Sequence, residues 1–145
     1  MVQSVKGMRP SELYLVRHAL AAERGDDWPD DTKRPLTAEG TSRFREVVSG
    51  LVWLGVGVDE IFTSPLVRAR QTAEAIARAV RVEAQVEEAL APGATAAGLA
   101  EALAGLRGPI ATVGHQPDCS EIAYDVLGRD PGFPVAGMAE MELHT

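Results

Sequence analysis

A single cysteine, Cys119, occurs in the chain, so no internal disulfide can form, and no spacing of cysteine with histidine resembles a zinc site. Stability has to come from a hydrophobic core, and 145 residues with 46% hydrophobic content are enough for one. A reducing compartment, the cytoplasm, is the expected setting. No uninterrupted apolar run reaches the roughly 18 residues that a membrane span requires. Charges break even the alanine-rich stretch from Ala69 to Leu106, so no membrane association is expected. Met1 to Ser11 carries Lys6 and Arg9 but no apolar stretch of the kind a secretory signal needs. Residues 1–11 therefore read as a flexible leader, and 12–145 as a single domain. Basic residues are also short: 14 Lys and Arg stand against 21 Asp and Glu, a formal charge of −7. Diffuse attraction to nucleic acid or anionic lipid is excluded on that balance, since both depend on an excess of cations. Any phosphate site must be local. Internal repeats and low-complexity linkers are absent.

Several short patterns stand out against this background. Leu13 to Val16 is an apolar run that delivers Arg17 and His18 at its end, as a buried strand would. Ala19 to Leu36 holds Gly25, Pro29, Pro35 and five acidic residues without periodicity, and reads as a long loop. Thr37 is a good N-cap for a helix carrying Phe44, Val47, Val48, Leu51 and Leu54 at helical spacing, stopped by Gly55 and Gly57. Glu60 to Thr63 predicts a second strand. Ser64 and Pro65 then suit the cap and first position of a helix reaching Val80. Val82 to Val86 alternates like an exposed strand, and Ala89 to Ala94 is turn-prone. Thr95 predicts another cap, for a helix to Leu106. Pro109 to Val113 reads as a buried strand ending in Gly114 and His115, Pro117 to Leu127 as a helix, and Val135 to Leu143 as a last strand.

Strands alternating with helices predict an α/β fold, a three-layer sandwich with a mostly parallel central sheet flanked by helices. Ligands of such sheets lie at the carboxyl ends of the strands. Three polar clusters follow apolar strands in this way: Arg17 with His18, Ser64 with the helix bearing Arg68, and Gly114 with His115. Each alone has a bland explanation, as a surface histidine, a salt-bridged arginine or a helix cap. Their conjunction at strand ends points to one pocket that concentrates positive charge against an acidic chain.

The segments that carry these residues are Leu15-Val16-Arg17-His18-Ala19, Arg34-Pro35-Leu36-Thr37-Ala38-Glu39-Gly40, Thr63-Ser64-Pro65-Leu66-Val67-Arg68-Ala69-Arg70-Gln71-Thr72 and Val113-Gly114-His115-Gln116-Pro117. Together they resemble the histidine phosphatase superfamily, with its phosphoglycerate mutase-like fold, and within it the SixA-type phosphohistidine phosphatases. The resemblance runs from Glu12 onward, and the short chain has no room for the insertions of the larger mutases and phytase-like members. It implies that His18 accepts the phosphoryl group and that Arg17, Arg68 and His115 surround its oxygens, with neither metal nor cofactor. Physical chemistry agrees with these roles. Phosphoryl transfer spreads charge over three equatorial oxygens, so fixed cationic donors are the principal aid. Neighbouring guanidiniums also disfavour the imidazolium form of His18 and leave its lone pair available.

Ala19 stands where much of the superfamily has glycine, although SixA-type members accept alanine there. Many superfamily phosphomonoesterases supply a general acid as a carboxylate in the connection near Glu88, which makes Glu88, with Glu87 beside it, the candidate. Phosphohistidine has little need of one, because neutral imidazole leaves more easily than an alkoxide. The amide and hydroxyl of Ser64 either add anion-binding groups or simply cap a helix, and Ser64 is assigned no catalytic role. Arg34 has two readings, a place at the pocket mouth in the long loop or, as the commoner account, an exposed arginine paired with Asp30 or Asp31. Asp26, Asp27, Asp30 and Asp31 form an acidic loop that is either simply solvated or selects partners. The expected function is a phosphatase working through a covalent phosphohistidine on His18, with a phosphohistidine-bearing protein as the expected phosphorylated substrate. The alternatives are a phosphatase of small phosphoesters and a phosphate-recognising module without turnover.

Overall fold

A computed structural model describes residues 12–129, Gly132 and residues 138–142. The expected leader, residues 1–11, and the flanks of the expected last strand, 135–137 and Leu143, lie outside the described residues.

Five strands form one sheet: β1 (Glu12–Arg17), β2 (Glu60–Thr63), β3 (Ala84–Val86), β4 (Ile110–Gly114) and β5 (Met138–Glu142). Their spatial order is β3-β2-β4-β1-β5. The first four run parallel, with Arg17 beside Gly114 and Thr63 beside Val113, and β5 pairs antiparallel with β1. Among the described residues, four helices connect them: α1 (Ala38–Trp53), α2 (Val67–Val80), α3 (Ala96–Ala102) and α4 (Asp118–Leu127).

The side chains of β1 show why helices must cover both faces. Leu13 and Leu15 join a core with Leu99, Leu103, Ile122 and Val126 from the α3 and α4 side. Tyr14 and Val16 point the opposite way and join Phe44, Val48, Ala73 and Ile76 from α1 and α2. An apolar run at period two, buried on both faces, is what a central parallel strand requires. The result is the expected three-layer sandwich. Among the described residues, no helix is long and apolar enough to cross a membrane.

Local signals worked where a side chain had one role. Thr37 caps α1 by accepting from Gly40 N, and Thr95 caps α3 by accepting from Gly98 N. Helix α3 ends at Ala102, four residues before the expected Leu106, where the buried Leu103 becomes its C-cap. Strand β3 is shorter than the expected 82–86. The start of α2 also differs from expectation. The helix begins at Val67, with Leu66 as N-cap and without a capping side chain. Ser64 is already engaged: its amide donates to the carbonyl of Val113 at 2.9 Å, and its hydroxyl meets His115. The chain therefore bends through Pro65 and Leu66 before the helix begins at Val67.

Candidate active site

The strand order sets the carboxyl ends of β2, β4 and β1 side by side, and each end releases a polar residue. The amide of His18 donates to the carbonyl of Gly114 at 3.1 Å, which ties the two histidine-bearing turns together. The His18 and His115 rings then lie 5.4 Å apart between centroids, inclined at 55°. A cavity of about 280 Å3 is lined by Arg17, His18, Arg68 and His115, the four residues expected at a phosphoryl site, joined by Arg24 and Arg34.

The tautomer of His18 follows from its neighbour. Nδ1 lies 2.7 Å from the carbonyl oxygen of Ala19, which can only accept, so Nδ1 carries the proton. Nε2 keeps the lone pair whenever the ring is neutral. The pKa of His18 is lowered to about 4, first by burial and then by the charges of Arg68, Arg17 and Arg34, against the raising effect of the Ala19 carbonyl. His18 is therefore a neutral imidazole near pH 7, with Nε2 unprotonated.

His115 is buried, and its pKa is lowered to about 3 by burial and by its neighbours His18 and Arg68. It too is neutral near pH 7. Its Nε2 and the hydroxyl oxygen of Ser64 are 2.7 Å apart, and the same oxygen accepts from the amide of Leu66 at 3.3 Å. Nδ1 of His115 is buried and has no hydrogen-bond partner among the described residues.

Arg68 stands in the first turn of α2 and is buried. Its Nη1 donates to the carbonyl of Asp31 at 2.9 Å and its Nη2 to the Asp31 carboxylate at 3.1 Å, while Nε has no partner among the described residues. Burial pulls the guanidinium below its usual pKa, and Asp31 pulls it back up. Arg34 departs from the expected exposed arginine. It does pair with Asp31, Nε to Oδ1 at 2.8 Å, but it is buried and faces the cavity. Its Nη1 donates to the carbonyl of Ala22 at 2.7 Å, so the loop wraps around it.

Glu88 is exposed at the start of a 3-10 turn whose last residue, Leu90, is buried, and it is not among the residues lining the cavity. The carboxylate of Glu87 accepts from the amide of Ala89 and caps that turn. Cys119 is buried and its thiol is pushed up to about 12, so it stays protonated.

Three residues make contacts that the sequence did not foretell. Asp31 bridges Arg34 and Arg68, and also approaches Arg24 at 3.8 Å. The pairing with Arg34 was expected from the sequence, and the reach to Arg68 on another element has no local signal. Ser64 holds His115 from another strand, a contact without local signal. Thr72 accepts from the amide of Ala19 at 3.0 Å, and only its place at the end of the Arg68 segment hinted at it.

Comparison with known proteins follows the same lines. An uncharacterized protein of Picosynechococcus sp. is 39% identical over 150 residues, which span 92% of this chain and 90% of that protein. A crystal structure from Agrobacterium tumefaciens, assigned as a phosphohistidine phosphatase SixA, superposes with a TM-score of 0.79 at 25% identity over 92% of each chain. The protein histidine phosphatase SixA complexed with tungstate shares the fold, with a TM-score of 0.69 at 22% identity over 89% of this chain and 86% of that one. The profile of the histidine phosphatase superfamily (branch 1) matches residues 13–92, more than half of the sequence and the stretch that supplies Arg17, His18, Arg34 and Arg68. The chain belongs to the histidine phosphatase superfamily.

Proposed function

We propose that the chain is a SixA-type phosphatase that removes phosphoryl groups from protein phosphohistidine by way of a covalent intermediate on His18. The observation that carries this reading is the state of His18, a neutral imidazole with Nδ1–H fixed on Ala19 and Nε2 unprotonated among arginines. In the first step Nε2 attacks phosphorus, a new P–N bond forms on His18, and the P–N bond of the substrate breaks. The departing imidazole keeps the electron pair and takes a proton from solvent. In the second step water attacks phosphorus, the bond to His18 breaks, and inorganic phosphate leaves with His18 restored.

Arg17 and Arg68 neutralise charge on the equatorial oxygens in both steps. With Nε2 of His115 held by Ser64, Nδ1 is the ring atom left to donate to the transferring group, and it does so as a neutral imidazole. The preference for phosphohistidine over alkyl phosphates rests on the position of Glu88. With that carboxylate outside the cavity lining, an alkoxide would leave without a dedicated acid, whereas imidazole needs little help. The arginine-rich cavity and the likeness to the SixA protein of Agrobacterium tumefaciens support the same substrate class.

The test incubates wild type and His18→Ala with a phosphohistidine-bearing protein domain and, separately, with para-nitrophenyl phosphate. Phosphate release and acid-labile label on the enzyme are followed together. The expected result is turnover of phosphohistidine with transient label on wild type, both lost in His18→Ala. Release from the small ester alone would move the assignment to a metabolite phosphatase. Binding without turnover of either would mark a phosphate-recognising module.

A further inference from the structure

The long loop between β1 and α1 sends one carboxylate back among the arginines of the cavity. Asp31 opens a 3-10 turn over Asp31–Lys33, capped by the side chain of Asp30, which accepts from the amide of Thr32. From this turn both carboxylate oxygens of Asp31 are engaged: Oδ1 accepts from Arg34 Nε at 2.8 Å and Oδ2 from Arg68 Nη2 at 3.1 Å. The backbone carbonyl of the same residue takes Arg68 Nη1 at 2.9 Å, so Arg68 is gripped twice by one residue. The Asp31 side chain is 47% exposed, whereas those of Arg34 and Arg68 are only 9% and 5% exposed. A half-exposed acid that holds two buried cations compensates for their burial, but that compensation does not explain why it grips Arg68 twice and Arg34 at the edge of the cavity. The arrangement is better explained by what it does to the guanidiniums.

We propose that Asp31 is a positioning residue of the phosphoryl site, fixing the orientation of Arg68 and Arg34 and setting how tightly the cavity holds a phosphate anion. This inference deepens the phosphatase reading and rests on it. Two effects of opposite sign follow from the geometry. Held from one side, the two guanidinium planes keep their remaining N–H groups, including Nε of Arg68, in fixed directions, which favours the transition state. The negative charge of Asp31 also offsets part of the attraction of Arg24, Arg34 and Arg68 for a dianion, which keeps product phosphate from lingering. Asp31 is not a proton donor in this scheme. The hydrogen bond from Arg34 and the charges of Arg68, Arg34 and Arg24 hold its carboxyl below the usual range, so it carries no proton at neutral pH.

The experiment compares wild type, Asp31→Asn and Asp31→Glu, full-length, in two measurements. Steady-state turnover of a phosphohistidine domain gives kcat and KM, and calorimetry with inorganic phosphate gives Kd independently of turnover. Asp31→Asn is expected to lower kcat by about ten- to a hundredfold, as loss of fixed donors does. It is also expected to tighten phosphate binding by roughly three- to tenfold, through removal of one negative charge near the anion. Asp31→Glu keeps the charge and is expected to retain a phosphate Kd near that of wild type, with partial recovery of kcat. A merely structural role would reduce the active fraction in both variants and leave Kd where it was, and that result overturns the proposal. So does an Asp31→Asn enzyme with wild-type kcat and Kd. If wild type itself releases no phosphate, the phosphatase reading fails, and an unchanged phosphate Kd in Asp31→Asn would separately overturn the role of Asp31 in anion binding.

Discussion

The hydroxyl of Thr72 accepts from the amide of Ala19 at 3.0 Å and donates to the carbonyl of Arg68 at 2.8 Å, so a single side chain on α2 joins the turn after β1 to the first turn of the helix bearing Arg68. The carbonyl of the same Ala19 fixes Nδ1 of His18. Thr72 thus acts on His18 through one intervening residue. Both Thr72 and Ala19 are fully buried, where water cannot replace a lost partner. Thr72→Val preserves shape and removes the acceptor. It should lower unfolding free energy by about 1–3 kcal/mol, the cost of a buried unsatisfied amide. Urea denaturation measures the first effect and single-turnover label on His18 a second, slower phosphoryl uptake. Wild-type values in both would mean that Thr72 only fills space.

The lowered pKa values of the two cavity histidines fix the sign of the pH response. In the proposed mechanism His18 has to be unprotonated to attack, and its pKa of about 4 lies well below the ordinary value of 6.5. Between those two values the unfolded chain binds the proton and the folded one does not. Stability therefore rises with pH across that window and is lost as pH falls through it. His115, at about 3, acts in the same direction. The nucleophile should remain active down to about pH 5, with no loss centred near 6.5. The ring-proton NMR titration of His18 isolates this from ionisation of the substrate. A midpoint near 6.5 would show that the arginines and burial do not depress it.

Gly40 shows why the segment from Arg34 to Gly40 has its composition. Thr37 donates its amide to the carbonyl of Leu20 at 2.9 Å, and α1 then passes so close that a Cβ on Gly40 would collide with the same carbonyl oxygen. This contact seats the loop carrying Arg34 against the turn after His18. Gly40→Ala forces a methyl against a backbone carbonyl that cannot easily give way, and overpacking of this kind costs about 1–3 kcal/mol. The variant should melt earlier and turn over more slowly, whereas Gly50→Ala, on the same helix with open space around its Cα, should not lose stability. Thermal unfolding of the pair separates local collision from a general intolerance of α1.

These contacts also show what the chain disclosed by itself. Strands and caps were legible because each rests on neighbours in sequence: an unbroken apolar and buried run from Leu13 to Val16, or Thr37 accepting from Gly40 three residues on. The gathering of His18, Arg68 and His115 was legible because parallel strands end on one edge, whatever their order. Ser64 misled, since a serine before a proline suits a helix start, and its pairing with His115 spans 51 residues that no local pattern connects. Arg34 misled for the same reason. Its burial depends on the loop folding back so that Ala22 and Asp31 can both receive it.

Glu88 provides the sharpest separation between the two phosphatase chemistries. A carboxylate that protonates an alkoxide leaving group contributes about a hundredfold or more to turnover. Glu88 is exposed and is not among the residues that line the cavity, and Glu87 is committed to the amide of Ala89. Glu88→Gln removes the proton and little else. The expected outcome is kcat/KM within about twofold of wild type on both a phosphohistidine domain and an alkyl phosphate, because general acid catalysis operates in neither. A loss confined to the alkyl phosphate would place Glu88 over the leaving group in the substrate complex and give the chain a phosphomonoesterase's machinery. Equal, small effects on both would leave a site whose cations do the work and whose substrates must leave unaided, as imidazole does.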